Sequence, residues 1–278
     1  MLPFRAIISD LDGTLLNQQH KIGEFTQSTL QKLAERSVDI FFATGRNLPD
    51  VQHLVRKLNL PHATLVTSNG ARANNLAGDC FVNHYLPEAI AFDLLTNIPF
   101  DPVNVCINSY QGDDWFINVD VPALKAFHSE SGFCYQVVDF TQHHGKQAEK
   151  IFFIGRSPEV LLPVEQAIRQ KYADQVQITY STPQCLEVMA KGVCKANTLA
   201  NLVVERGYTL DDCIAFGDGM NDVEMLSQAG KGCIMGNADP RLKQALPRNE
   251  IIGENNNESV ARYLHKIFFN MYSNSYYA

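Results

Sequence analysis

The sequence predicts an α/β protein, a doubly wound core of parallel strands interrupted by a separate α+β domain. Three observations carry that expectation. Apolar, β-rich runs alternate with helical patterns toward both ends of the chain, the order of elements changes between about residues 85 and 186, and four polar clusters each follow an apolar run or open a helix. Apolar runs of this kind mark strands covered on both faces.

At 278 residues the chain suits one large domain and a smaller one. Residues 4–9 read as a first strand. A helix follows over 23–36, with Phe25, Leu30 and Leu33 as its inward positions. Val38–Ala43 is the second strand, and Val51, Leu54, Val55 and Leu58 give the next helix, over 49–58. Ala63–Thr67 is the third strand, and 71–86 reads as a hairpin turning at Ala77-Gly78-Asp79. The insertion at 85–186 then reads as a helix at 87–97, strands at 103–108 and 115–119, a helix at 122–131, and strands at 134–138 and 150–155. Ser157-Pro158 opens another helix, as N-cap and first position. Alternation resumes with a helix at 195–205, a strand at 213–216, a helix at 223–229 and a strand at 233–235. The segment after Phe269 is polar and aromatic and receives no assignment.

Composition narrows the function classes. A formal net charge of -7 argues against nucleic acid as a partner, although a lysine or a metal can reverse the field inside a pocket. Seven cysteines without a CxxC pair form neither a disulfide framework nor a zinc site, and most read as small core residues in a reducing compartment. The first residues lack a signal-peptide pattern, and no run reaches the roughly 18 apolar residues of a membrane span. The expectation is a soluble cytoplasmic protein; oligomeric state is not legible.

The polar clusters carry the chemistry, because ligands of open parallel sheets collect beyond the carboxyl ends of the strands. Asp10 and Asp12 end the first strand at an i, i+2 spacing, with Gly13 easing the turn. Two carboxylates this close repel unless one is protonated or a cation, such as Mg²⁺, neutralises them. Thr44-Gly45 follows the second strand, where a hydroxyl and an amide can hold phosphate oxygens. Arg46 beside it is open to an anion or to a surface pair. Lys195 opens a helix, a position that the helix dipole disfavours without an anion nearby. Asp218, Asn221 and Asp222, relaxed by Gly217 and Gly219, make a half-site for a hard cation and a phosphate. Each cluster alone also reads as an ordinary turn, an exposed lysine or a helix cap.

Taken in this order, DLDGT, a threonine-glycine turn, a lone lysine and GDGMND resemble the haloacid dehalogenase-like hydrolases. FATGR, TSNGA, CLEVMAKGV and GKGCIMGNA extend the resemblance over nearly the whole chain, the tail excepted. The insertion is similar to the α/β cap of the Cof-type branch, with its bacterial sugar-phosphate and pyridoxal-phosphate phosphatases. The resemblance implies a Rossmann-like core at 1–84 and 187–270, a cap at 85–186 and a tail at 271–278. It implies an Mg²⁺-dependent phosphatase acting on a small phosphorylated metabolite. Asp10 matches the nucleophile and a metal ligand, Asp12 the general acid/base whose carbonyl also meets the metal, and Asp218 the remaining metal ligand. Leu11 (through its backbone), Thr44, Gly45, Lys195 and Asn221 match phosphate-binding positions, and Asp222 an outer-shell acid. Arg46, Asn69 and Gly70 are candidate substrate contacts. Ala196 departs from the glycine that relatives often place after the lysine. A phosphomutase with the same phosphoaspartate, and a non-catalytic binding or receiver-like protein, are the rival readings. Tyr110, Trp115, Phe116, His128 and Tyr135 read either as cap core or as an aromatic floor, and His143-His144 as an exposed pair.

Overall fold

The computed structural model describes residues 2–269; the tail at 271–278 lies outside the described residues. The chain begins with β1 (Ala6–Ser9), whose four side chains are all buried. After α1 (Glu24–Glu35) come β2 (Asp39–Ala43), α2 (Leu48–Arg56) and β3 (Thr64–Thr67). The hairpin β4 (Arg72–Asn75) and β5 (Cys80–Asn83) then turns where expected. Leu30 and Leu33 are buried in α1 as expected, but Phe25 is 37% exposed. Its ring lies beside the His265 imidazole instead of entering the core.

The second layer of the protein comprises α3 (Glu88–Thr96), β6 (Val105–Gln111), β7 (Asp114–Ile117), α4 (Pro122–Phe127), β8 (Gln136–Val137), β9 (Ala148–Gly155) and α5 (Leu162–Tyr172). Two strands fill a stretch without sequence assignment, β10 (Val176–Thr182) and β11 (Cys185–Ala190). They form an antiparallel hairpin, and β11 also pairs with β9. The insertion boundary at 186 therefore needs correcting, because it would split β11 between Leu186 and Glu187. The helix expected over 122–131 stops at Phe127, where the chain turns His128 inward.

The chain returns to the first layer through α6 (Lys195–Glu205), β12 (Cys213–Gly217), α7 (Val223–Gln228), β13 (Lys231–Ile234), α8 (Pro240–Ala245), β14 (Glu250–Ile251) and α9 (Ser259–Phe268). The strand order is β14-β13-β12-β1-β2-β3-β4-β5 in one sheet and β10-β11-β9-β6-β7-β8 in the other. From β14 to β3 the first sheet is parallel, with the β4–β5 hairpin added antiparallel at one edge. This is the doubly wound α/β core with an inserted α+β cap. β1 lies between β2 and β12, so the chain leaves it to one side and returns on the other. That reversal places a crevice at its carboxyl end.

In the cap sheet, residue parity sorts side chains between two faces. Ile107, Ile151, Phe153, Leu186 and Val188 pack with Leu94, Val164 and Ile168 of the helices. Cys106, Tyr110, Trp115, Tyr135 and Phe152 form a separate cluster. Cys106, Cys194, Cys213 and Cys233 are buried as expected, whereas Cys80 and Cys134 are exposed. Among the described residues, no helix is long and apolar enough to cross a membrane.

Candidate active site

A cavity of about 450 Å³ lies between the two layers. Asp10, Asp12, Thr44, Gly45, Asp218 and Asn221 line it from the core, and Tyr110, Trp115, Phe127, Phe152, Lys150 and Glu187 from the cap. Residues from turns after β1, β2 and β12 thus meet because those strands are parallel neighbours.

Asp10 is 6% exposed, and its backbone N–H donates to the Phe216 carbonyl across the sheet (3.0 Å). Lys195, at the first position of α6, donates to Asp10 Oδ1 (2.8 Å) and Asp222 Oδ1 (2.7 Å). The anion that the helix-start lysine called for is therefore a pair of protein carboxylates. Asp222 Oδ2 accepts the backbone N–H groups of Asp218 (2.9 Å) and Gly219 (3.0 Å), so Asp222 fixes both the lysine and the turn. Thr14 donates to Asp218 Oδ1 (2.6 Å). Gly13 has a φ of +70°, and a Cβ there would lie 2.2 Å from Asp218 Oδ2. Only glycine allows this approach.

Asp10, Asp218 and Asp222 each place a carboxylate oxygen within 4.8 Å of the others. Burial raises Asp10 well above the usual carboxylate range; Lys195 opposes the rise, while the charges of Asp222 and Asp218 add to it. Burial, then the charge of Asp222, pushes Asp218 up to about 7. Burial works against the charge of Lys195, but Asp10 and Asp222 outweigh it and hold the ammonium above its ordinary pKa. The cluster of Asp10, Asp218 and Asp222 thus holds more acid than Lys195 can neutralise. With Asp222 fully engaged, Asp10 and Asp218 are the oxygen donors left for a hard divalent cation, and the donor set fits one.

Asp12 faces a different partner. Arg46 donates to both its oxygens, Nη2 to Oδ1 and Nε to Oδ2, each at 2.6 Å. Burial would raise the Asp12 carboxyl, but the Arg46 hydrogen bonds and charge hold it well below the usual range. Arg46 is 6% exposed, so it is neither a surface pair nor a free anion site. Its Nη1 donates to Asp50 Oδ2 (2.7 Å), which also meets His128 Nδ1 of the cap (2.9 Å).

A second polar chain crosses the layers on the Thr44–Gly45 side of the cavity. Asn221 donates to Asn69 Oδ1 (3.0 Å), and Asn69 donates to Glu187 Oε2 (2.8 Å). Lys150 donates to Glu187 Oε1 (2.6 Å) and to the Gly45 carbonyl (2.5 Å). Thr44 and Gly45 line the cavity beside this contact, and the Leu11 side chain is wholly buried, which leaves only its backbone for a ligand. Gly70 does not line the cavity: its φ is +97°, and a Cβ there would meet the Cys194 carbonyl at 2.4 Å. It serves the close packing of α6, not a substrate. Asn69 reaches the cavity only through Asn221 and Glu187.

The sequence reading missed Lys150, Glu187, Phe127, Phe152 and Asp50. The signal available for three of them was parity: Lys150 and Phe152 share a face of β9, and Glu187 is paired with Phe152. Tyr110 and Trp115 are both core and floor, since they are buried and line the cavity, whereas Phe116 packs on the helix face. Tyr135 stands behind Trp115, with ring centroids 5.0 Å apart. His143 is partly covered by Phe116, and His144 is exposed.

Comparison with known proteins agrees with this architecture. A family model described as haloacid dehalogenase-like hydrolase matches residues 7–264. A Haemophilus influenzae protein named "Putative phosphatase" is 54% identical over 267 residues, covering 96% of this chain and 98% of the relative. The crystal structure of a haloacid dehalogenase-like hydrolase from Bacteroides thetaiotaomicron is 25% identical with a TM-score of 0.79, covering 95% of this chain and 100% of that one. A sugar phosphatase of HAD subclass IIB shares the fold at 21% identity and a TM-score of 0.80, covering 94% of this chain and 97% of that one. With the family model spanning both layers and the acid cluster at the crevice between them, the chain belongs to the haloacid dehalogenase-like hydrolases.

Proposed function

We propose that the protein is an Mg²⁺-dependent phosphatase that hydrolyses small phosphorylated metabolites, sugar phosphates or pyridoxal phosphate, through a phosphoaspartate on Asp10. The observation that carries this reading is the convergence of Asp10, Lys195 and Asp218 below a cavity of metabolite size. The family, the relative named as a phosphatase and the sugar phosphatase of like fold support it.

Asp10 and Asp218, with the Asp12 carbonyl, would hold the metal, which when bound supplies positive charge against the anionic phosphate and nucleophile. Lys195 holds Asp10 Oδ1, which orients the carboxylate so that its other oxygen can attack. Attack forms the Asp10–phosphorus bond and breaks the bond to the ester oxygen. Thr44, Gly45 and Asn221 steady the phosphoryl oxygens. Asp12 gives a proton to the departing alkoxide and later takes one from the water that cleaves the phosphoaspartate. The Arg46 pair keeps Asp12 ionised at rest, which suits the second step; the first requires that pair to open and Asp12 to take up a proton.

The test is Asp10→Asn, purified free of wild type and assayed with Mg²⁺ against phosphate esters. Turnover and acid-stable radiolabelling by a substrate labelled in its ester phosphate should both vanish while the circular dichroism is kept. Hydrolysis at the wild-type rate would remove Asp10 as nucleophile. Release of inorganic phosphate by the wild type, instead of an isomeric ester, separates a phosphatase from a phosphomutase.

A further inference from the structure

Of the seven described tyrosines, Tyr85 is exposed to water, and the other six divide into two kinds. The hydroxyls of Tyr135, Tyr172, Tyr180, Tyr208 and Tyr263 each donate to a carboxylate, those of Asp120, Asp93, Glu165, Asp39 and Glu250. Tyr110 is 4% exposed, more buried than any of these five, yet its hydroxyl has no partner among the described residues. Nor is its oxygen among the sealed, unpartnered atoms, so it keeps access to the cavity its residue lines.

The other polar side chains buried in the cap wall are all engaged. Trp115 Nε1 donates to Asn108 Oδ1 (2.9 Å), His128 meets Asp50, and Lys150 and Glu187 meet each other. The Tyr110 ring is held by Phe152 (centroids 4.8 Å apart) and Trp115 (6.0 Å), with the Lys150 ammonium 4.8 Å from its centroid. A rigid ring with a free donor is preorganised for recognition, and a buried phenol without an acceptor is costly. Burial, reinforced by the charges of Asp50 and Glu187, keeps the phenol protonated and therefore a donor.

We propose that the Tyr110 hydroxyl is a specificity-determining hydrogen-bond donor to the leaving group, taking an oxygen or nitrogen acceptor on the alcohol part of the phosphate ester. This rests on the phosphatase reading above. Trp115, Phe127 and Phe152 accommodate the apolar body of that group, and Tyr110 distinguishes esters that carry an acceptor from those that do not. A site built around a donor discriminates strongly against a ligand that leaves it unpaired.

The experiment compares wild type with Tyr110→Phe, which keeps the ring and removes the donor. The substrates are pyridoxal phosphate, glucose 6-phosphate and phenyl phosphate, whose leaving group has no acceptor beyond the ester oxygen. The ratio of kcat/KM for the better acceptor-bearing ester over phenyl phosphate should fall about tenfold in the variant, mainly through KM, with an unchanged Tm. An unchanged ratio would mean that water satisfies the hydroxyl, and would overturn the proposal. A wild type that prefers phenyl phosphate to both other esters would also overturn it. If wild type cleaves none of the three, the phosphatase reading itself falls, before any variant is compared.

Discussion

Glu149→Gln tests a buried charge at the joint between the two layers. The Glu149 side chain is fully buried at the second residue of β9, where Ser68 donates to its Oε2 (2.9 Å) and its Oε1 has no hydrogen bond. Arg72 stands 3.7 Å away but is already bonded to Asp113 at 2.7 Å. Burial is the largest effect, and it pushes the carboxyl from 4.5 up to about 7 against the pull of Ser68 and Arg72. The folded protein therefore holds this proton to a higher pH than the unfolded chain does. The stability it contributes is full below about 4.5 and is lost as pH rises through about 7. At about 1.4 kcal/mol per pKa unit, the loss between pH 5 and pH 8 is about 2–3 kcal/mol. Glutamine cannot titrate, so the variant escapes this loss; its amide adds only an offset that is the same at both pH values. The assay is urea unfolding at pH 5 and pH 8 with saturating Mg²⁺, followed by fluorescence of Trp115, the single tryptophan, which sits in the cap. The variant should gain about 2–3 kcal/mol on wild type between the two pH values. Parallel pH dependence of the two proteins would refute the reasoning.

Two further perturbations address the acid cluster. Lys195→Met leaves Asp10 and Asp222 facing each other without their shared cation, and should cost about 3–5 kcal/mol of stability in metal-free buffer together with turnover, read by urea unfolding and phosphate release. A loss under 1 kcal/mol would show that the pair tolerates burial unaided. Metal binding should displace protons, since Asp218 lies near 7 and Asp10 is also raised. Mg²⁺ affinity should accordingly weaken as pH falls below about 7, measurable by titration calorimetry in buffers of different ionisation enthalpy. A constant affinity from pH 5.5 to 8.5 would count against these ligands, and full activity after chelation would count against the metal.

The sequence by itself determined which polar residues stand together at the strand ends. Asp10, Thr44, Lys195 and Asp218 were legible because each follows or opens an element, and parallel strands carry such residues to one edge whatever the intervening length. It also determined the fold class, since the apolar runs of β1, β2 and β12 suit only strands covered on both faces. The β10–β11 hairpin was not legible as part of the cap: β10 is mostly half-buried and lacks the apolar density of the core strands, so its place depends on pairing with β11. Only the tertiary structure decided which acid met which base. Asp10 and Asp12 stand two residues apart, yet one faces Lys195 and the other Arg46. Their contrasting pKa directions follow from those partners, and partners come from packing rather than spacing. The cavity wall has the same origin, because Tyr110, Lys150 and Glu187 lie on three strands whose register the sequence does not state. A hydrogen bond or an ion pair needs atoms within about 3 Å, and that precision is set by the sheet and its packing, not by residue type.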